Sequence, residues 1–246
     1  MQPWEVLDTA QTDDGELGLS ARGREGAREF LITVDRRVLM NSFANRSELA
    51  VAEVACEPLA THPAPRVLIG GLGMGCTLRA ALDVLPPTAQ ITVAELHGII
   101  ATWCEGPLAA VNGEALSDPR VTIVVADVAA LIRRSEPGSF DAIVLDLFEG
   151  PHSGTDANAD PFYGRHAIEH SARALRPQGV FSVWSEEHDA GFERRLTRAG
   201  FSVHRTRPGR GGLRHAVYAA RLTKDDAPPK GKRPGGRKRS SGRKRS

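Results

Sequence analysis

Five short apolar segments, separated by stretches with helical spacing, constrain the fold more than any other feature of the chain. They are RVLIG, QITVAEL, VTIVVAD, FDAIVLDLF and GVFSVWS, and most of their residues are apolar. Strands of this composition are typical of parallel sheets whose two faces are both covered by helices. The sequence between them predicts helices near Thr77–Val84, Ile99–Val111, Val128–Arg134 and Pro161–Leu175. This alternation predicts an α/β fold with a doubly wound, mostly parallel sheet.

The segments on either side of this series predict antiparallel strands. The first 45 residues contain WEVLDT, ELGLSAR, EFLITVD and RVLMNS, which are β-rich and separated by turn sequences. Helices are expected over Ser47–Ala60 and near Ala190–Ala199, and the second leads into FSVHRTR and RHAVYAARL, an alternating pair of strands. We therefore predict a small β domain over residues 1–45 and a seven-stranded sheet domain over residues 46–222.

Charge separates this body from a basic tail. Residues 223–246 carry a net charge of +8, whereas the remaining residues carry −6. The tail contains no large apolar residue and cannot bury a core, so we predict that it is disordered. Two interpretations remain open for it: a solubilising extension, or a weak, salt-sensitive contact with nucleic acid.

The composition argues against a membrane, export or metal-binding protein. No apolar run approaches the about 18 residues of a membrane span. The first ten residues lack the basic and apolar regions of a signal peptide. Cys56, Cys76 and Cys104 are widely spaced and form no CxxC motif, which favours reduced thiols over disulfides or a metal site. We therefore predict a cytoplasmic protein with no membrane partner and no metal.

Glycines crowd the turn after the first apolar strand, in the sequence GGLGMG. Glycine allows tight bends and close approach to the backbone, and the start of the following helix suits a nucleotide-like ligand. The dinucleotide fingerprint would need one more glycine at position 76, which is a cysteine here. GxGxG with an acidic residue twenty positions later fits an S-adenosylmethionine-type donor better than NAD. The candidate cofactor-binding residues of this turn are Gly71, Gly73 and Gly75.

Acidic residues end the next three predicted strands. Glu95 ends the second strand, Asp127 the third, and Asp146 the fourth, with Glu149 just beyond it. Because carboxyl ends of parallel strands meet at one edge of a sheet, these side chains should converge on one crevice. A carboxylate at the position of Glu95 can accept hydrogen bonds from ribose hydroxyls. Asp127, with Val128 after it, is the candidate for contact with the exocyclic amine of an adenine.

Five stretches together resemble the spermidine synthases, the polyamine aminopropyltransferases. They are RVLIGGLGMGCTLRAAL, ITVAEL, SDPRVTIVVADVAALI, FDAIVLDLFEGP and DPFYGRHAIEHSARALRPQGVF, and the resemblance covers residues 66–222. It implies a Rossmann-like sheet of the class I methyltransferase type, a homodimer, and aminopropyl transfer from decarboxylated S-adenosylmethionine to a di- or polyamine. By the same resemblance Glu95 would hold the ribose and Asp127 the adenine. Asp146 would be the catalytic carboxylate, and Glu149 would bind the amine.

The implied reaction is a substitution at an sp³ carbon attached to a sulfonium. Its leaving group is neutral, so the protein mostly has to align donor and nucleophile. The amine is protonated at neutral pH and must lose a proton before it attacks, and a nearby carboxylate can accept that proton. Two acids also attract a cationic substrate. Both properties fit Asp146 and Glu149.

Departures from the family pattern keep two other functions open. Met74 stands where the family's glycine loop usually carries an aspartate that contacts the donor's amino group, and the tyrosine–histidine–glutamate signature of the amine pocket has no clear counterpart in residues 47–52. These departures favour a methyltransferase that uses S-adenosylmethionine itself. A non-catalytic binding protein with the same fold is the third hypothesis. Trp184, at the end of the fifth strand, is either part of an acceptor pocket or an ordinary buried aromatic residue.

Overall fold

The structure is a computed structural model that describes residues 3–24, 26–208 and 215–223. The predicted disordered tail, apart from Thr223, lies outside the described residues. Two sheets form the framework, one of four strands and one of seven. The expected combination of an N-terminal antiparallel sheet with a mostly parallel α/β sheet is confirmed.

The N-terminal sheet is an antiparallel meander in chain order. On its second strand, Leu17, Leu19 and Ala21 are buried, and their spacing of two places them on one face. That face belongs to the same hydrophobic cluster as helices of the larger sheet, so the meander is packed onto the α/β body. Its strands are β1 (Glu5–Thr12), β2 (Gly15–Arg22), β3 (Glu29–Val34) and β4 (Arg37–Asn41).

The larger sheet has the strand order β10-β11-β9-β8-β5-β6-β7. Five neighbouring strands are parallel, in the order β9, β8, β5, β6 and β7. Beside β9, strand β11 pairs antiparallel with β9, and β10 pairs antiparallel with β11 at the edge of the sheet. The chain adds β6 and β7 on one side of β5 and then places β8 on the other side of β5. This switch leaves a crevice at the carboxyl ends of β5 and β8. The strands are β5 (Arg66–Gly70), β6 (Gln90–Glu95), β7 (Val121–Val125), β8 (Phe140–Leu145), β9 (Leu175–Ser185), β10 (Phe201–Thr206) and β11 (Ala216–Leu222).

Helices cover both faces of this sheet, and three of them differ from the sequence expectation. The first helix ends at Cys56 and continues as a 3₁₀ turn that contains Pro58. The expected helix over 99–111 is broken at Gly106 and Pro107. The helix expected from Pro161 begins only at Arg165. The helices are α1 (Arg46–Cys56), α2 (Cys76–Val84), α3 (Gly98–Glu105), α4 (Ala109–Asn112), α5 (Val128–Arg134), α6 (Arg165–Ala174) and α7 (Ala190–Arg198).

Contacts from the N-terminal sheet reach the carboxyl edge of the larger sheet. The indole Nε1 of Trp103 on α3 donates to Asp8 Oδ2 at 2.8 Å. Met40 on β4 lies against the glycine loop, where a Cβ added to Gly73 would meet its Sδ and Cε at 2.8 Å. The meander therefore forms a wall beside the crevice.

Candidate active site

The glycine loop runs between β5 and α2, and its conformation explains its composition. Gly71, Gly73 and Gly75 have φ angles of 87°, 53° and 84°, in the left-handed region that disfavours other residues. At Gly71 an added Cβ would lie 2.3 Å from the carbonyl oxygen of Asp146. The close backbone approach that the glycines predicted therefore includes a contact within the protein, between the end of β5 and the end of β8. Whether these three glycines also contact a donor stays a prediction.

Glu95 at the end of β6 is buried and held by backbone donors on two sides. Its Oε2 accepts from Leu72 N at 2.8 Å and its Oε1 from His97 N at 2.9 Å. A carboxylate oxygen can accept more than one hydrogen bond, so both oxygens keep capacity for ligand hydroxyls. His97 in turn places Nε2 2.9 Å from Asp14 Oδ2 of the β1–β2 turn. Glu95 is thus fixed in one orientation at the corner of the glycine loop.

Asp127 and Val128 lie at the next strand end and have different surroundings. Asp127 is exposed and caps α5, where its Oδ1 accepts from Ala129 N at 2.8 Å. Val128 is buried, and its methyl groups would lie about 3 Å from a Cβ added to Gly70. Its side chain therefore packs against the end of β5. Both positions are compatible with backbone contacts to a ligand at the start of α5.

Asp146 follows β8 and faces the start of α2. Its backbone N–H donates to Gly70 O at 3.0 Å, and its Oδ2 accepts from the hydroxyl of Thr77. Burial among protein atoms raises the pKa of Asp146 to about 7, the Thr77 hydrogen bond opposes this shift, and the charge of Glu48 adds to it. The carboxyl group is therefore near its titration midpoint at neutral pH, where a general base works well.

Glu149 lies three residues farther along but in a more exposed environment. Its side chain is 61% exposed, and Oε1 lies 3.9 Å from an Arg37 guanidinium nitrogen. That guanidinium also lies 4.8 Å from the centroid of the Phe148 ring. Glu149 and Asp146 are brought to the same edge of the sheet, as predicted, but a cation of the N-terminal sheet already accompanies Glu149.

A group of side chains that the sequence analysis did not predict completes this end of the crevice. Ser47 and Glu48 come from the first turn of α1, Thr77 from α2 and His215 from the residue before β11. Trp184 on β9 packs edge-on against His215, with ring centroids 5.0 Å apart. No sequence motif could predict this group, because Ser47 and His215 are 168 positions apart in the chain.

No metal-binding cluster and no ionised thiol is found among the described residues. They contain no group of three or more histidine, cysteine or carboxylate side chains arranged to hold a metal ion. Burial raises the pKa of Cys56 and of Cys104 to about 12 and also raises that of Cys76, which keeps the thiols protonated. Among these same residues, no helix has the length and apolar character needed to cross a membrane.

Comparison with known proteins settles the family. The sequence model of the spermine/spermidine synthase domain matches residues 51–194. The chain belongs to this family. The matched segment contains the glycine loop and all the acidic strand ends described above.

Individual relatives include both aminopropyl- and methyltransferases. The chain is 34% identical to putrescine N-methyltransferase 3 of Nicotiana tabacum over 139 residues, which cover 53% of this chain and 34% of that protein. It is 32% identical to spermidine synthase of Coffea arabica over 152 residues, 58% of this chain and 45% of that protein. The chain thus matches less than half the length of either relative.

A solved structure gives the same fold over most of the chain. Spermidine synthase in complex with the transition-state analogue AdoDATO superimposes with a TM-score of 0.63 at 21% identity, covering 88% of this chain and 72% of that chain. The likeness extends beyond the residues that the family model matches. It shows that the α/β fold described here is that of a spermidine synthase.

Proposed function

We propose that this protein transfers an aminopropyl group from decarboxylated S-adenosylmethionine to a di- or polyamine. The observation that carries the proposal is the placement of Asp146, a carboxyl group with its pKa raised to about 7 beside the glycine loop of a spermidine synthase-type fold. Membership of the spermine/spermidine synthase family supports it. The spermidine synthase with AdoDATO bound supports a donor of this chemical type.

The donor would occupy the edge formed by β5, β6 and β7. Glu95 would accept hydrogen bonds from the two ribose hydroxyls, since its carboxylate is already oriented by Leu72 N and His97 N. Asp127 and Val128 at the start of α5 would contact the adenine. Holding the nucleoside at two places fixes the position of the sulfonium carbon, which contributes much of the catalysis in a substitution with a good leaving group.

The acceptor would approach from the side of β8 and α1. The ionised carboxylate of Asp146 would accept a proton from the ammonium group and leave a neutral amine. The nitrogen lone pair then forms a bond to the methylene carbon while the carbon–sulfur bond breaks, and the sulfur leaves as a neutral thioether. Glu149 would add negative charge at the entrance of the site.

A methyltransferase that uses intact S-adenosylmethionine is the second candidate. The similarity to putrescine N-methyltransferases favours it, and so does the glycine loop, where Met74 provides no carboxylate. The side chain of Met74 is fully buried in the core beneath the loop. The same Asp146 would serve either reaction, because both begin with a neutral amine attacking a carbon on a sulfonium.

Calorimetric binding of the two donors separates these functions. The donors differ by one carboxylate, and the proposal predicts that the decarboxylated donor binds at least about tenfold more tightly. Tighter binding of the intact donor would make the protein a methyltransferase. If neither donor bound, the non-catalytic binding protein would replace both enzymes.

A further inference from the structure

His97 joins the β1–β2 turn of the N-terminal sheet to the carboxyl end of β6. Its ring Nε2 lies 2.9 Å from Asp14 Oδ2, and its backbone N–H donates to Glu95 Oε1 at 2.9 Å. An ionised carboxylate only accepts hydrogen bonds, so Nε2 carries a proton and donates it to Asp14. His97 therefore contacts the N-terminal sheet with its side chain and the candidate ribose-binding carboxylate with its main chain.

Local hydrogen bonds fix the turn that carries Asp14. The backbone N–H of Asp14 donates to Thr12 Oγ1 at 3.2 Å, and the same hydroxyl donates to Gly15 O at 2.8 Å. The next residue, Glu16, donates its backbone N–H to Asp35 Oδ1 of the β3–β4 turn at 2.9 Å. The cost in conformational freedom that weakens most exposed ion pairs is therefore reduced for Asp14.

A second contact holds the other end of α3 to the same sheet. Trp103, in the last turn of α3, is buried, and its Nε1 donates to Asp8 Oδ2 at 2.8 Å. The pairing of β1 with β2 shifts register between Val6 and Asp8, and an irregularity of this kind re-aims the side chains of a strand. His97 is the N-cap residue of α3. The N-terminal sheet thus holds α3 at both ends.

The orientation of the Glu95 carboxylate depends on two backbone donors. The last torsion of a glutamate side chain has a broad, two-fold energy profile, so burial alone does not fix the plane of the carboxylate. Leu72 N donates to Oε2 and His97 N donates to Oε1, and together they set that plane. Two neighbouring ribose hydroxyls need both oxygens at defined positions. A shift of His97 would therefore misalign Glu95 without removing it.

Positioning of Glu95 and simple stabilisation of the fold have different consequences for binding. A contact that only holds the two sheets together would affect every ligand of the crevice alike. A contact that orients Glu95 would affect only ligands with ribose hydroxyls, since these hydroxyls are what the carboxylate would bind. The two roles can therefore be separated by changing the ligand as well as the protein.

We propose that His97, anchored by Asp14, is a positioning residue that orients the Glu95 carboxylate for the two ribose hydroxyls of the donor. The proposal rests on the proposed function, which assigns the ribose to Glu95. It applies equally to decarboxylated and intact S-adenosylmethionine, because both carry the same nucleoside. It gives the β1–β2 turn a part in donor recognition through His97.

Calorimetry on the full chain with two nucleosides tests this role without relying on turnover. The first is 5′-methylthioadenosine, the thioether that aminopropyl transfer would leave, and the second is its 2′,3′-dideoxy analogue. The wild type should bind the first at least about tenfold more tightly, because a site that hydrogen-bonds hydroxyls rejects a ligand without them. His97→Ala should reduce this preference at least about threefold, while binding of the dideoxy analogue changes less than about twofold.

Further variants assign the effect to the contact between His97 and Asp14. His97→Gln keeps an N–H donor at a similar reach and should restore the wild-type preference to within about twofold. Asp14→Ala should lower the preference as much as His97→Ala does, and the double variant should lose no more, because both changes remove one contact. Asp13→Ala removes the same charge from an exposed neighbouring position of the turn and is the matched control, which should change nothing.

Three results would overturn the proposal. They are a wild type that does not prefer the nucleoside with ribose hydroxyls, a His97→Ala variant that keeps the full preference, and a His97→Ala variant that weakens both nucleosides equally. Preserved circular dichroism shows that each variant has folded.

Failure of this proposal can be distinguished from failure of the proposed function. If His97→Ala lowers the preference but the wild type transfers no group from either donor, the proposed function fails and the role of His97 stands. If the wild type makes product and His97→Ala keeps the preference, only the role of His97 fails.

Discussion

The two halves of the crevice are built differently. On the proposed donor side, Glu95 accepts hydrogen bonds from the backbone N–H groups of His97 and Leu72, and Asp127 accepts one from that of Ala129. Only Leu72 is distant in the chain from its partner. On the proposed acceptor side, Asp146 accepts a hydrogen bond from the Thr77 hydroxyl of α2, and Glu48 accepts one from the hydroxyl of the neighbouring Ser47. A backbone donor survives most substitutions, whereas a side-chain donor changes with the residue that carries it.

This difference suggests where members of one family can diverge. The donor side depends on strand ends and turn geometry, which any sequence that keeps the fold must reproduce. The proposed acceptor side depends on the identities of Ser47, Thr77 and His215, so we expect a few substitutions there to change which amine is bound. The similarity of this chain to both aminopropyl- and methyltransferases acting on amines fits this view.

The largest expected effect is that of Asp146→Asn on turnover. The amide cannot accept the proton of the ammonium group, so the rate should fall by about 10³-fold, within the range for loss of a general base. Donor affinity should stay within about tenfold, because the proposed donor contacts lie on the other side of the crevice. Steady-state rates and donor calorimetry measure both quantities. A variant with full activity would remove Asp146 from the mechanism.

Glu95→Ala should produce the opposite pattern. Loss of the carboxylate removes the acceptor for two ribose hydroxyls and leaves Leu72 N and His97 N without partners, so donor affinity should fall about 10–100-fold. Binding of 1,4-diaminobutane should change less than about threefold if the two sides act independently. Equal losses for donor and diamine would show that the two sides form one cooperative unit.

The pH dependence tests the environment of Asp146. Because the carboxylate must be ionised to accept a proton, kcat/KM should rise with pH through a midpoint at about 7. Since Glu48 raises this pKa, Glu48→Gln should lower the midpoint. Glu149→Gln, whose charge does not contribute to the shift, should leave it in place and serves as the matched variant.

The same titration has a consequence for stability with the opposite sign. The fold favours the protonated form of Asp146, so the free energy of unfolding should decrease as pH rises from the ordinary pKa of 3.8 towards about 7. Asp146→Asn should remove this decrease. Denaturant titrations of both proteins between these pH values measure it, and identical slopes would contradict the assigned burial.

The smallest expected effect is that of Glu149→Gln on the KM for a diamine. Its charge is exposed and already accompanied by Arg37, so KM for a diamine should rise less than about threefold with kcat unchanged. Arg37→Gln should lower KM slightly by releasing Glu149. A loss of more than about tenfold in Glu149→Gln would return the main amine-binding role to this residue.

The placement of Gly71 and Glu95 next to each other could be predicted from the sequence because its signals are local. The glycines and the acid that follows them lie within one strand–turn–helix–strand unit, where topology alone brings Gly71 and Glu95 together. The parallel sheet was predictable for the same reason, since each buried strand is a continuous apolar segment. The family resemblance gave the same positions.

The acceptor side could be predicted only in part. The strand end identified Asp146, but not its burial or its bond to Thr77. The contact between Ser47 and His215 depends on how α1 packs against β9 and β11, which no spacing in the chain expresses. Glu149 was expected from the family resemblance to bind the amine, and the sequence did not indicate that the turn after β8 leaves it exposed beside Arg37.

The central claim is the transfer of an aminopropyl group to an amine, and mass spectrometry of the product tests it most directly. The purified full chain is incubated with 1,4-diaminobutane and either decarboxylated or intact S-adenosylmethionine, with Asp146→Asn as the inactive control. We predict a diamine extended by one aminopropyl group, formed only from the decarboxylated donor and only by the wild type. A methylated diamine formed from the intact donor, or no product from either, would contradict the claim.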